Sequence, residues 1–186
     1  MKIVDILIDS ANLLGLVDEV SILQNTTEET ESETLTNTYI ARLFELIKFS
    51  LRELCSNYVP VSISETVVVE ENKFPVANLK NFVRVQNVSR NNESVKFKII
   101  NRNIVFEENG EYVVNYATYP EIISLFDDID FLQNLSPDVM VFGLCAYYSL
   151  ATGMFEEFKE FYEQYISKAE SLKCLKIFEL PRRSWE

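Results

Sequence analysis

Apolar residues recur along this chain with two different periods. Over residues 3–16, Ile3, Leu7 and Leu14 keep helical spacing, with Val17 continuing it and Ile6 and Leu13 beside them. Gly15 is placed to end that helix, and Lys2, Asp5 and Asp9 leave one face polar. Residues 35–56 predict a longer helix, with Ile40, Leu43, Phe44, Ile47, Leu51 and Leu54 recurring at three and four. At 1.5 Å per residue it is about 33 Å long. Arg42, Glu45, Lys48, Arg52 and Glu53 occupy its other faces, and Pro60 ends it by disfavouring helix at Val59.

From Val61 the period falls towards two. "VSISETVVVEE", "NFVRVQNVS", "VKFKII", "NIVFEE" and "EYVVNYAT" are short and rich in β-branched and aromatic residues. Turn signals separate them: Pro75, "SRNNES", "NRN" and "ENGE". Asn109-Gly110 is a strong hairpin signal, because both residues tolerate positive φ. Five short strands joined by tight turns predict an antiparallel β meander or small barrel over residues 61–117.

An acidic connector follows. Between Ala117 and Pro137 it carries Glu121, Asp127, Asp128 and Asp130 and no basic residue. Tyr116, Tyr119 and Pro120 are expected to pin it against helices, with its carboxylates facing water, a neighbouring subunit or a channel. "LSPD" reads as a helix start, with Ser136 as cap and Pro137 in the first turn. Residues 139–151 are apolar nearly all round, the mark of a buried helix. Gly153 makes a corner, and residues 154–172 carry Phe155, Phe158, Tyr162, Tyr165, Ala169 and Leu172 on one face. The two form an antiparallel helical hairpin. The whole reads as an α+β fold. Its four-helix core, two N-terminal helices and the C-terminal hairpin, takes residues 1–60 and 118–172. The β insertion takes 61–117 and a tail 173–186.

Composition narrows the chemistry. The 29 acidic residues outnumber 17 basic ones, a formal net charge of -12, which disfavours electrostatic binding of nucleic acid. The absence of histidine removes the usual acid/base at neutral pH, a common zinc ligand and every Ser-His-Asp arrangement. Cys55, Cys145 and Cys174 form no C-x-x-C pair and read as reduced packing residues. No apolar block is long enough to span a bilayer, and Asp5 and Asp9 interrupt the N-terminal run, so a soluble protein without a signal peptide is expected. With four glycines there is no phosphate loop.

Several clusters remain as candidates. Glu28, Glu29, Glu31 and Glu33 lie in the stretch 24–36, which reads as a solvated loop or, more sharply, as an acidic lip. "DDID", residues 127–130, lacks the glycine and distal glutamate of a calcium loop and reads as a solvated turn. Glu70-Glu71 and Glu107-Glu108 read as hairpin rims rather than as a glycosidase pair. Arg84, Arg90, Lys96, Lys98 and Arg102 gather in the β region, opposite in sign to the helical regions. In a monomer that is a mixed surface; in a ring it is a complementary subunit contact. Arg182, Arg183 and Trp185 are residue types enriched at interface hot spots.

In layout the chain resembles the head-to-tail connector (adaptor) proteins of tailed bacteriophages. "ARLFELIKFSLRELCSNYVP" is similar to the family's second helix and its Y-x-P exit. "GEYVVNYATYPEIISLFDDIDFLQNLSPD" is similar to its strand, Y-x-x-x-P connector and L-x-P helix start. "VFGLCAYYSLATGMFEEFKEFYEQYISKAE" is similar to its paired closing helices. The glutamate-rich stretch and the large β insertion depart from the minimal helical members.

The resemblance implies a non-enzymatic virion protein at the head-tail junction, present in the bacterial cytoplasm during assembly. It implies a homomeric ring, commonly dodecameric, joining the portal protein to tail or nozzle proteins. DNA passes through without sequence-specific binding; neither cofactor, metal nor membrane is involved. It places Phe178, Arg182, Arg183 and Trp185 towards the portal. Glu28, Glu29, Glu31, Glu33, Asp127, Asp128 and Asp130 then face the channel or a neighbouring subunit, and Arg84, Arg90, Lys96, Lys98 and Arg102 the subunit interface. The competing reading is a non-enzymatic binding or regulatory module acting as monomer or dimer.

Overall fold

In the computed structural model the residues described are 1–129 and 136–175, the side chains of 173–175 excepted. The fold is mixed α+β and divides into two units. One is built from Met1–Leu54 and the chain from Ile122 on; the other is Cys55–Glu121. Asp130, Phe178, Arg182, Arg183 and Trp185 lie outside the described residues.

The first unit is helical. Helix α1 (Ile3–Leu13) buries Ile3, Ile6, Leu7 and Ala11, and Gly15, at φ 72, turns the chain out of it. A second helix, α2 (Val17–Gln24), follows at once and buries Val20 and Leu23, a helix the apolar spacing did not predict. The stretch 24–36 is more ordered than a solvated loop. It contains a helical turn, α3 (Glu31–Thr34), with Thr34 buried and its hydroxyl 3.0 Å from that of Thr26.

Helix α4 spans Thr38–Asn57 rather than beginning at Leu35. The Asn37 side chain sets the start, accepting the N–H groups of Tyr39 (2.9 Å) and Ile40 (3.2 Å) that have no partner inside the helix. Its seam of Ile40, Leu43, Ile47, Leu51 and Leu54 is buried as the spacing predicts. Helix α5 (Pro137–Thr152) starts on Pro137 after Ser136 and ends on Gly153, whose φ of 80 suits a residue without a Cβ. Helix α6 (Phe155–Leu175) returns along it, and Lys168 donates to Asp138 at 3.1 Å between the two.

The acidic connector belongs to this unit from Ile122 on, and its residues 122–129 are built in. Its backbone pairs with the start of the chain: Ile3 N–H donates to the Asp127 carbonyl at 3.0 Å, Val4 N–H to Leu125 at 2.8 Å, and Ile129 N–H to Met1 at 2.9 Å. Ile122, Leu125 and Ile129 are buried.

The second unit holds seven strands in two antiparallel sheets. These are β1 (Val61–Val69), β2 (Lys73–Pro75), β3 (Phe82–Arg90), β4 (Glu93–Ser94), β5 (Lys98–Ile100), β6 (Asn103–Val105) and β7 (Gly110–Thr118). The larger sheet has the order β1-β7-β3-β4 and the smaller β2-β6-β5. It is neither a meander nor a closed barrel. The last strand, β7, inserts between the first and the third because it carries the most buried side chains. Tyr112, Val114, Tyr116 and Ala117 are all buried, and the central position covers them.

Asn109-Gly110 does not close a hairpin: it links β6 in one sheet to β7 in the other. The residues with positive φ at both turn positions are Glu71-Asn72, Asn91-Asn92 and Asn101-Arg102, each between strands consecutive in sequence. The two sheets share one buried cluster, in which Val67, Val88 and Tyr112 from one meet Ile104 from the other. Tyr116 is part of that cluster, and does not pin the connector against helices as expected. Its hydroxyl donates to Glu65 Oε2 at 3.0 Å and its ring lies 6.0 Å from Phe82.

Candidate interaction surfaces

The carboxylates singled out in the sequence fall into two groups. Three are engaged inside the helical unit. Glu31 Oε1 accepts the Leu125 N–H at 2.7 Å and Oε2 accepts the Ser124 hydroxyl at 2.8 Å. Asp127 Oδ2 accepts the N–H groups of Ile123 (2.7 Å) and Ser124 (2.9 Å). Asp128 Oδ1 lies 3.1 Å from the Met1 amino group. Glu28, Glu29 and Glu33 are exposed. Glu33 borders an open cleft of about 730 Å³ with Ser21, Asn25, Thr26, Thr30 and Asn37. Most of that polar lining is already spent on the local backbone: Ser21 on Val17, Asn25 on Ser21, Thr26 on Ile22.

The basic residues are also divided. Arg90 is paired within its unit, to Glu108 at 2.9 Å, with its guanidinium 5.4 Å above the Tyr112 ring. Arg84 is exposed on β3. Lys98 is on β5, Lys96 on the extended run before it, and Arg102 in the β5–β6 turn, so the structure brings these three together. Lys73 joins them from β2: it and Lys98 both pair with Val105, one on each side. Sequence reasoning missed Lys73, because Pro75 read as a turn and hid a three-residue strand. None of Lys73, Lys96, Lys98, Arg84 or Arg102 makes an ion pair with a described residue.

The surface of α6 has the opposite sign. Glu156, Glu160, Glu163 and Glu170 are exposed on the side facing away from buried Tyr165 and Ala169. Phe155, read from its spacing as a core residue, is 67% exposed at the head of this helix; the stripe is half-buried from Phe158 and fully buried only at Tyr165. Leu150 is exposed at the end of α5, just before the Gly153 corner that leads to it.

Cys145 is buried with its thiol 3.7 Å from the Ser10 carbonyl, and burial pushes its pKa up to about 12. No group of three metal-ligating side chains occurs among the described residues. A polar knot joins three helices. Glu53 Oε2 on α4 accepts the hydroxyls of Tyr147 on α5 and of Tyr165 on α6, the latter at 3.0 Å. Gly143 lies beside it: a Cβ there would sit 2.4 Å from Ser50 Oγ and 3.1 Å from the Tyr165 ring. The signal for this knot was a glutamate at the edge of the α4 seam and a glycine in the most apolar helix.

No protein-family model matches the chain, and no curated protein matches it.

Proposed function

We propose that this protein is a head-to-tail connector of a tailed bacteriophage. It forms a ring beneath the portal protein, joins the capsid to tail or nozzle proteins, and continues the DNA channel without catalysis. Its four longer helices, α1, α4, α5 and α6, form the ring's helical core, and residues 173–186, with Phe178, Arg182, Arg183 and Trp185, reach towards the portal. The layout of the sequence supports this reading.

The observation that carries it is the uneven division of charge between the two units. The β unit holds eight acidic and seven basic residues; the helical unit holds 21 and 10. Two unlike surfaces on one chain associate head to tail, and such an interface closes into a ring when the rotation per subunit divides the circle. An acid-rich lumen lets DNA slide, because no phosphate is held. Glu28, Glu29 and Glu33 are the exposed candidates for it.

The test is the mass in solution by light scattering, alone and with the portal protein, at low and high salt. A ring-sized mass or a portal complex that weakens with salt is the expected result. A monomer that ignores the portal overturns the reading and favours a binding module, for which the exposed Ile99 and Ile100 on β5 are the natural contact.

A further inference from the structure

We infer that the outer face of the three-stranded sheet docks the glutamate face of α6 from a second copy of this chain. The inference rests on the ring reading and assigns its two contacting surfaces.

The sheet face follows from strand alternation. Ile104 on β6 is fully buried and pairs with Ile99 and Phe74, so that row points inward. The rows on either side therefore point outward. One is Lys73–Val105–Lys98 and the other Pro75–Asn103–Ile100. Lys96 continues the outward row along the strand, and Arg102 closes it at the turn. The result is a half-apolar face with cations on both sides. Ile100, on an outward row, is 50% exposed; Ile99 belongs to the inward row and is 52% exposed only because it lies at the free edge.

Two features point to an acidic partner of helical form. In a chain with an excess of acid, these cations make no ion pair with a described residue. The β5 edge is three residues long and led by Lys98, a combination that discourages strand addition.

The α6 face has matching chemistry. Glu156, Glu160 and Glu163 recur at four and three, and none pairs with a described cation. Exposed Lys159, three residues after Glu156 and four before Glu163, offsets part of their repulsion, and the face stays net negative. The glutamates are about 4.5–6 Å apart along the axis at 1.5 Å per residue. Lys96 and Lys98 are about 6.7 Å apart along the strand, and Lys73 and Lys98 about 9.6 Å apart across two strand spacings. A nucleic acid would find the same cations but would approach a chain of net charge -12.

Two charge-reversed full-length proteins test this. Variant A is Lys96→Glu with Lys98→Glu; variant B is Glu160→Lys with Glu163→Lys. All four positions are exposed, and circular dichroism checks that both variants fold. Wild type is expected to self-associate in low salt. Each variant alone, with like charges on both faces, is expected to lose on the order of tenfold or more in association constant. An equimolar mixture of A and B is expected to assemble again, since each variant's altered face meets the other's complement.

If wild type assembles and either variant does so equally well, the assigned faces are wrong while the ring stands. Failure of the mixture to recover also overturns the assignment. If wild type stays monomeric alone and with the portal, both the faces and the ring fall. If wild type binds a labelled DNA duplex and variant A does not, the partner is a phosphate backbone and the inference is overturned.

Discussion

The Glu31 carboxylate accepts the Leu125 backbone N–H at 2.7 Å, across 94 positions of sequence. With Ser124 on its other oxygen, Glu31 holds the acidic connector onto the helical unit. Leu125 is fully buried, so its N–H has no water to turn to if the carboxylate is lost. Glu31→Ala is expected to cost about 1–3 kcal/mol. Glu28→Ala and Glu29→Ala, three and two residues away and exposed, are expected to leave the urea midpoint unmoved. Equal losses at all three positions would mean that Glu31 has no special role.

Gly143 is required where α4, α5 and α6 approach. A methyl group at 2.4 Å from Ser50 Oγ and 3.1 Å from the Tyr165 ring meets two fully buried residues that have nowhere to retreat. Gly143→Ala is expected to destabilise by about 1–3 kcal/mol. The Ser50 hydroxyl is buried with no hydrogen-bond partner among the described residues. Ser50→Ala alone should therefore be neutral or stabilising, and the double variant should regain part of the loss. Thermal melts of the four proteins give the coupling directly.

Tyr116 makes the β unit sensitive to alkali. Burial, and then the Glu65 carboxylate that its hydroxyl donates to, push its pKa from 10.0 up to about 12. Below pH 10 both folded and unfolded phenols keep the proton and the contribution is complete. Above it the unfolded phenol ionises first, so stability falls as pH rises and levels off past the folded value. The loss from this one group is roughly 2–3 kcal/mol. Tyr148 and Cys145 are raised by burial too and add losses of the same sign. The comparison of wild type with Tyr116→Phe across that range isolates its share. Parallel pH profiles would refute it.

Arg102 separates stability from association. It sits at φ 60 in the β5–β6 turn, a conformation that disfavours any residue with a Cβ. Arg102→Gly relieves that strain and is expected to raise stability by roughly 0.5–1 kcal/mol. It also removes a cation from the docking face, so self-association should weaken while the melting temperature rises. A variant that gains or loses both together would contradict the placement of Arg102 at the contact.

The long-period parts of the fold were legible in the sequence. The seam of α4 and the corner at Gly153 follow from spacing and from glycine, and the five expected β segments hold the three long strands β1, β3 and β7 and the short β5 and β6. Pairing was not legible. Nothing local says that β7 returns between β1 and β3; that follows from burial of Tyr112, Val114 and Tyr116 on a central strand. Asn109-Gly110 misled because turn chemistry permits a hairpin without choosing the partner strand, whereas Asn91-Asn92 and Asn101-Arg102 do the work of reversing the chain. The acidic clusters looked alike in sequence, yet Glu31 and Asp127 are bound to backbone N–H groups and Glu28 and Glu29 are not. Only three-dimensional neighbours distinguish them. The cation cluster was visible in part, but Lys73 entered it through a strand too short to show a period.

The helical unit is made from two separated pieces of chain, and that has a consequence for how the protein is born. As the ribosome releases it, α1 emerges first, but the carbonyls of Leu125 and Asp127 that accept the Val4 and Ile3 amides are made only after the whole β unit. The β unit has all its strand partners within Cys55–Glu121 and is free to settle while the rest is still being synthesised. The two pieces of the helical unit must then meet across an insertion that is already folded, and closure over so long a stretch of chain is the slow kind of contact. The earliest helix therefore waits longest for its partners, and the nascent chain exposes Ile3, Ile6 and Leu7 throughout that wait.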